Sequence, residues 1–321
     1  MKSHKKEENR REQGIGAFSE MGNDAKVAII ILNWNGFHDT VECLESLRGL
    51  DYYNFKIVLV DNGSDNNEGN RLKEMFPEIH LIKNRTNRGF AGGNNDGIKW
   101  SKENGFKYVW ILNNDTVVEK DSLKCQISTF KQKRTGAVGS KIRIYGTGLI
   151  WSKGIYLIKF SVLPMMLKFF SNIDEGKRDN KQESTRAVKY VSGCSILLKT
   201  SLKNSLFDEG YFAYCEDMDL CRRIREEGYT ILYEPRSVVY HKILRDHKGK
   251  KFSRFSAYYS YRNKLIFLND IYPKYILVLA LAIYFACFIR DFLRIALFYD
   301  NKKALFAAML NGFGDGLKHI I

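Results

Sequence analysis

Between Lys26 and Asp115 the chain repeats one pattern: a short apolar run ending in Asn or Asp, then apolar positions at helical spacing. KVAIIILNWNG is followed by FHDTVECLESLRGL, in which Val41, Leu44 and Leu47 fall on one helical face. FKIVLVDNGSD reads as a second strand ending at Asp61, with a helical stretch through Leu72 to Phe76 after it. IHLIKN is a short strand before RGFAGGNNDGIKWSKENG, which opens on glycines and continues as a helix, and KYVWILNND is a fourth strand. Strand and helix alternating through short links predict an α/β fold with a parallel, doubly wound sheet.

The regularity fades after residue 145. VKYVSGCSILLKT predicts a strand or hairpin, CEDMDLCRRIREEGY a helix capped by Gly228, and TILYEPRSVVYH a strand broken at Pro235. A helical stretch from about Phe252 leads to Pro273. The expected organisation is a mobile charged tail over 1–25, a main α/β domain over 26–270 and an apolar helical segment over 271–321.

In a parallel sheet the carboxyl ends of the strands share one rim, where open α/β sheets bind ligands. Asn33, Asn35, Asp61, Asn62, residues 84–93 and the trio Asn113, Asn114 and Asp115 then lie along it. Any one of these is satisfied by turn chemistry, since Asn and Asp are common where strands end. Four successive strand ends of this kind point instead to a ligand crevice. In RGFAGGNN, Gly89 and Gly92 would let backbone N–H groups near Asn94 approach a ligand, with Arg88 pairing with phosphate. The alternative for these glycines is a helix start that needs tight packing. Neither GxGxxG nor GxxxxGK[ST] occurs, so neither a dinucleotide fingerprint nor a P-loop is expected. A nucleotide diphosphate requires a hard divalent cation, Mg2+ or Mn2+, and Asp115 is the carboxylate available to share it with phosphate oxygens. One carboxylate between amides is a weak cage, so the substrate and a further protein ligand must complete it.

Composition narrows the class. The 321 residues, 45% hydrophobic and 27% charged, are those of a globular chain able to bury a full core. A formal net charge of +15 implies attraction to something anionic: nucleic acid, a phosphorylated ligand or an acidic membrane surface. The six cysteines show no CxxC pair and no zinc spacing, and read as reduced thiols of a cytosolic protein. The opening stretch has charges without an apolar core, which is not the pattern of a secretory signal.

Taken in order, ILNWNG, VDNGSD, NRGFAGGNN, LNND, FDEGYFAYCEDMDLCRRIREEGY and VVYH resemble the family 2 inverting glycosyltransferases, in particular the rhamnosyltransferase and galactofuranosyltransferase-like enzymes. The resemblance covers about residues 26 to 270. It implies a GT-A fold, a UDP- or dTDP-linked sugar donor, a glycan or lipid-linked acceptor and a divalent cation. The family's Asp-x-Asp metal motif falls on Asn113-Asn114-Asp115, leaving Asp115 as its carboxylate. Asp61 corresponds to the residue that contacts the nucleoside, Asp217 to the catalytic base with Glu216 beside it, and His241 to a position that ligates the metal. YYSYRNK, Tyr258 to Lys264, matches a further signature of this group with no assigned role.

The chemistry agrees with these positions. Inverting transfer needs one carboxylate to take the proton of the attacking hydroxyl, and positive groups to stabilise the departing diphosphate. Glu216 and Asp217 open a helix, where the dipole would keep them ionised and solvent-facing; Asp219 points elsewhere. The plain alternatives are that these acids only cap the helix and that His241 is a structural histidine. KILRDHKGKKFSR is either a solvated basic loop or a flap over the diphosphate. The uncharged stretch from Ile276 to Ile289 falls short of the roughly 20 residues that cross a bilayer. It reads as a monotopic or re-entrant anchor, a tilted span or a dimerisation helix; with the positive charge, peripheral attachment to the inner membrane face is expected, and an oligomer is compatible. Three rivals stand beside the transferase: a nucleotidyltransferase, lacking its glycine-rich signature; a catalytically degenerate nucleotide- or glycan-binding protein, favoured by Asn113 alone; and a nucleic-acid binder, for which no reader motif is present.

Overall fold

The structure, a computed structural model, describes residues 25–132, 134–159, 168–179, 183–243, 253–299 and 301–320. The expected N-terminal tail and most of the basic stretch after His241 lie outside these residues.

The first four strands and the helices between them follow the sequence pattern: β1 (Val27–Asn33), α1 (Phe37–Arg48), β2 (Phe55–Asp61), α2 (Glu68–Met75), β3 (His80–Lys83), α3 (Gly89–Glu103) and β4 (Tyr108–Asn113). β1 lies between β2 and β4 and pairs parallel with both, and β3 pairs parallel with β2. The continuous apolar run of β1 has its reason here, because Val27 to Ile31 are all fully buried with a core on each face. Ile29 and Ile31 pack with Leu44 and Leu47 of α1 and Leu72 of α2. Ala28 and Ile30 pack on the other side with Ala91 and Ile98 of α3.

Beyond β4 the sheet becomes mixed. β5 (Thr116–Val118), α4 (Ser122–Thr129), β6 (Thr135–Ile144), β7 (Ile150–Ser152), β8 (Ile155–Lys159), β9 (Lys168–Asn172), β10 (Arg186–Val188), β11 (Ser195–Lys199), α5 (Glu216–Glu226) and β12 (Thr230–His241) follow in turn. The strand order is β10-β12-β6-β11-β4-β1-β2-β3, with β5 on β12 and β7 on β6; β8 and β9 form a separate ribbon. β11 runs antiparallel to both β4 and β6, whereas β12 is parallel to β6. Few helices separate the strands in this half, and antiparallel neighbours need no long crossover. VKYVSGCSILLKT therefore supplies one strand, β11, and the last residue of β10, and no hairpin, since β12 and β6 stand between β10 and β11. β12 runs through Pro235 without breaking: the pairing with β6 shifts register between Glu234 and Val238, a bulge that accommodates the missing N–H.

Three helices follow, α6 (Arg254–Ile271), α7 (Lys274–Phe298) and α8 (Lys302–Lys318). They share a core built on Tyr261, Leu265, Leu277, Tyr284, Phe288 and Met309. Phe267 of α6 packs into the sheet core as well, so this helix belongs to both bodies of apolar side chains. None of the six cysteines, all among the described residues, is in a disulfide.

Candidate active site

The carboxyl end of β4 enters the Asn113-Asn114-Asp115 turn, and the chain rejoins the sheet at once as β5. β5 pairs antiparallel with the end of β12, setting Thr116 opposite His241, and the Lys242 N–H donates to the Asp115 carbonyl at 2.9 Å. This register brings His241 Nε2 to 3.1 Å from Asp115 Oδ1. The imidazole is 6% exposed, with Trp151 of β7 against its ring at a centroid distance of 4.7 Å. Its Nδ1 is buried and has no hydrogen-bond partner among the described residues. Behind the turn the Cys43 thiol touches the Asn113 carbonyl and the Thr116 hydroxyl; burial pushes it up to about 12, so it stays neutral.

A polar web fixes the rim. The Thr40 hydroxyl donates to Asn33 Oδ1 at 2.7 Å and accepts from Asn114 Nδ2 at 2.9 Å. Asn33, fully buried, donates to Ser64 Oγ and Glu68 Oε2. Asn35 is left-handed, with φ 52°, and exchanges hydrogen bonds with Asp65. Asp61 is buried, and its Oδ1 accepts from the Ser64 N–H at 3.2 Å. These residues do gather at the rim, yet their polar groups are turned largely to protein. Asn94 and Asn113 differ: each keeps a buried side-chain oxygen with no hydrogen-bond partner among the described residues.

In the glycine stretch the structure shows tight packing. Gly89 has φ +72°, and a Cβ there would collide with the Phe212 carbonyl, which also accepts the Ala91 N–H at 3.1 Å. Gly92 lies against Arg88, and Gly93 against Leu32. The glycines face protein, as tight packing of a helix start demands. Arg88 is ion-paired to Asp96 and, at 2.9 Å, to Glu209, so two carboxylates already neutralise the guanidinium expected to meet phosphate.

At the start of α5, Asp217 Oδ2 accepts from the Gly193 N–H and Oδ1 from the Met218 N–H, each at 2.8 Å. The next residue after Gly193 bonds the Asn113-Asn114-Asp115 turn: the Cys194 carbonyl accepts the Asn113 N–H at 3.0 Å. Two consecutive residues thus join the Asp217 carboxylate to the end of β4. Glu216 is 6% exposed, and its Oε2 has no hydrogen-bond partner among the described residues. Burial pushes the Glu216 carboxyl well above the ordinary carboxylate range, with the Asp217 charge adding. Burial also raises Asp217, opposed by its N–H donors. The expectation of two solvent-facing, dipole-stabilised carboxylates fails for Glu216, which is buried, whereas Asp217 stays partly exposed; Cys215 and Met218 seat the amino end of α5 in the core, and desolvation raises both carboxyls despite the dipole. Asp219 points elsewhere, as expected, and pairs with Arg222 and Arg223 at 2.7 Å.

Thr40, Trp151 and Gly193, which touch the predicted residues, carried no signal in the sequence; Asn263 lies within YYSYRNK, the signature with no assigned role. A separate cleft of about 280 Å³, lined by Lys26, Phe55, Trp100 and Phe106, opens at the amino ends of the strands, remote from these carboxylates.

Residues 28–206 match the family described as Glycosyl transferase family 2. The chain belongs to that family. A poly-beta-1,6-N-acetyl-D-glucosamine synthase of Staphylococcus epidermidis is 27% identical over 219 residues, 66% of this chain and 48% of the relative. The family 2 chain thus spans about half the length of the curated relatives it matches. Among solved structures, S. aureus TarS 1–349 matches 92% of this chain and 81% of its own, with a TM-score of 0.56 and 15% identity. GalNAc-T7 with UDP, GalNAc and Mn2+ matches 70% of this chain and 45% of its own, with the same TM-score and identity. The likeness to these structures is one of fold, and the mixed sheet with flanking helices is the GT-A fold.

Proposed function

We propose that this family 2 chain is an inverting glycosyltransferase that moves a sugar from a nucleotide-sugar donor to a glycan or lipid-linked acceptor in surface-polysaccharide synthesis. The observation that carries the reading is the meeting of Asp115 with His241, on the same turn that Gly193 and Cys194 tie to Asp217. No cluster of three or more His, Cys, Asp or Glu forms a cation site among the described residues. Asp115 and His241 fit instead as a two-residue holder, with the donor's phosphates completing the shell. A carboxylate with an imidazole suits Mn2+ better than Mg2+. A divalent cation held there by Asp115 and His241 would neutralise charge on the leaving diphosphate.

Asp217 takes the proton of the acceptor hydroxyl as that oxygen bonds to the anomeric carbon. The bond from this carbon to the diphosphate breaks on the opposite face, so the configuration inverts and a nucleoside diphosphate leaves. Gly193 and Met218 aim the carboxylate through two N–H donors, and partial burial makes it a stronger base than an exposed one. The rim amides of Asn94 and Asn113 supply acceptors for donor groups.

Calorimetry of UDP and dTDP, each with Mn2+, Mg2+ or EDTA, tests this reading. Metal-dependent binding of one nucleotide, lost in Asp115→Ala, is expected. Folded protein that binds neither would favour the degenerate binding protein for which Asn113 speaks. The resemblance to rhamnosyl- and galactofuranosyltransferases and the likeness to an N-acetylglucosamine polymer synthase point to different sugars, so the donor panel must hold all three.

α7 supports attachment to a membrane. Among the described residues it is the one helix long and apolar enough to cross a bilayer, with mean hydropathy 2.2 over its best window, 28% of it buried. Val278, Leu279, Leu293 and Leu297 are more than half exposed. Yet α6 and α8 lie together in close contact, Gly312 and Gly316 meeting the backbone of Tyr258 and Arg262. A spanning α7 would pull these polar helices inward with it, so the outer face of α7 lying in one leaflet is the favoured arrangement. Flotation with anionic vesicles tests it; full-length protein that stays soluble at low salt without detergent would remove the anchor.

A further inference from the structure

The segment leading into Asp217 is built from unusual backbone. Phe212, Tyr214 and Cys215 all have positive φ, 63°, 70° and 70°, which L-residues adopt only when surrounding structure holds them. The Phe212 carbonyl accepts from the Ala91 N–H, the Cys215 carbonyl from the Asp219 N–H and the Tyr211 carbonyl from the Ala213 N–H. The buried Asn263 amide of α6 sets Nδ2 2.7, 2.7 and 2.9 Å from the carbonyls of Tyr211, Ala213 and Tyr214, its two hydrogens shared among the three. Arg262 orients that amide, donating from Nη1 to Asn263 Oδ1 at 2.8 Å and to the Gly210 carbonyl at 2.9 Å. Tyr211 is tied to the same helix by its hydroxyl, 2.9 Å from Asp270 Oδ2.

We propose that Asn263 is a positioning residue for Asp217: by collecting three carbonyls it holds the left-handed segment that aims the carboxylate at the acceptor hydroxyl. The inference rests on the reading of Asp217 as the base. It gives the YYSYRNK stretch a physical task, since Arg262 and Asn263 are its Arg-Asn pair. The amide's contacts all go to the base-bearing segment and to Arg262, whereas Asp115 and His241 are fixed by strand pairing. Loss of the clamp should therefore move the base and leave the nucleotide end in place. With the amide gone, the Ala213 and Tyr214 carbonyls lose that donor, Tyr211 keeps only the Ala213 N–H, and the segment relaxes toward ordinary backbone.

The test compares wild type, Asn263→Leu and Asp217→Asn as full chains. Asn263→Leu keeps the shape of the side chain and removes its donors. Hydrogen exchange of residues 211–217, with no ligand present, should quicken in this variant while β1 and β4 keep their protection. Calorimetric binding of UDP or dTDP with Mn2+ should be unchanged. On the donor so identified, kcat should fall about a hundredfold, the effect of misplacing a reacting group by an ångström, with KM little altered. Unchanged exchange in 211–217, or wild-type turnover, overturns the proposal. So does a parallel loss of nucleotide binding, turnover and melting temperature, the mark of general destabilisation. An Asp217→Asn protein that still turns over overturns the base assignment whatever Asn263 does; an inactive one beside a fully active Asn263→Leu overturns the clamp alone. Should Asn263→Leu fail to fold, Asn263→Ser, with a shorter donor, carries the same comparison.

Discussion

Asp115 Oδ1 lies 3.1 Å from His241 Nε2 because β5, which begins right after Asp115, pairs antiparallel with the last residues of β12. The contact joins residues from distant parts of the chain through backbone register.

The first prediction follows from that pair. Asp115→Ala and His241→Ala should each abolish or strongly weaken Mn2+-dependent nucleotide binding, by about tenfold or more per lost ligand. Isothermal calorimetry at fixed Mn2+ checks this, with Mn2+ supporting tighter binding than Mg2+. Equal nucleotide affinity with Mn2+ and with EDTA in the wild type would remove the metal from the proposal.

Asp217→Asn should leave nucleotide binding intact and lower kcat by about 10²–10⁴, the range for loss of a general base. Because burial raises the Asp217 carboxyl above the ordinary range, the ionised form is lost at a higher pH than for an exposed aspartate. Activity should accordingly fall on the acid side along a limb displaced upward from pH about 4. Following Mn2+-dependent nucleotide binding over the same pH range separates this limb from loss of the nucleotide site. A limb at the ordinary value would contradict the assignment.

Glu216 offers a stability test of opposite character. Its folded carboxyl is raised well above the unfolded value, so between the two the folded state holds more protons than the unfolded one. Stability therefore falls as pH rises through that window. Glu216→Gln should melt higher than wild type at neutral pH, each kcal/mol gained being worth roughly 2–4 °C in domains of 150–250 residues. Below the unfolded value the difference should vanish. A Gln variant less stable at neutral pH would mean that the carboxylate has a partner worth more than its desolvation.

Gly89→Ala should destabilise the chain by about 1–3 kcal/mol, through the left-handed backbone and the collision with the Phe212 carbonyl. Urea unfolding measures it. The same substitution at Gly105, also left-handed but with open space around it, should cost only the backbone part.

By itself the sequence determined the parallel half of the fold. Each apolar run from β1 to β4 is followed by a helix whose spacing is visible locally, and parallel strands so connected share one carboxyl rim. It also determined which residue types stand at that rim, since the Asn and Asp residues end the strands themselves. Only the tertiary structure decided what those residues touch. Arg88 lay within reach of phosphate in the sequence reading, but Asp96 and Glu209 claim it, the latter from a distant loop. The glycines beside it were open to two readings until Phe212 packed on them. Glu216 and Asp217 stood at a helix start, where local electrostatics favours charge; the core around Cys215 and Met218 reversed that, because burial depends on neighbours from the whole chain. The meeting of Asp115 with His241 and the hold of Asn263 on residues 211–214 are long-range in the same way. Strand register and helix docking set them, and neither leaves a periodic trace in the chain.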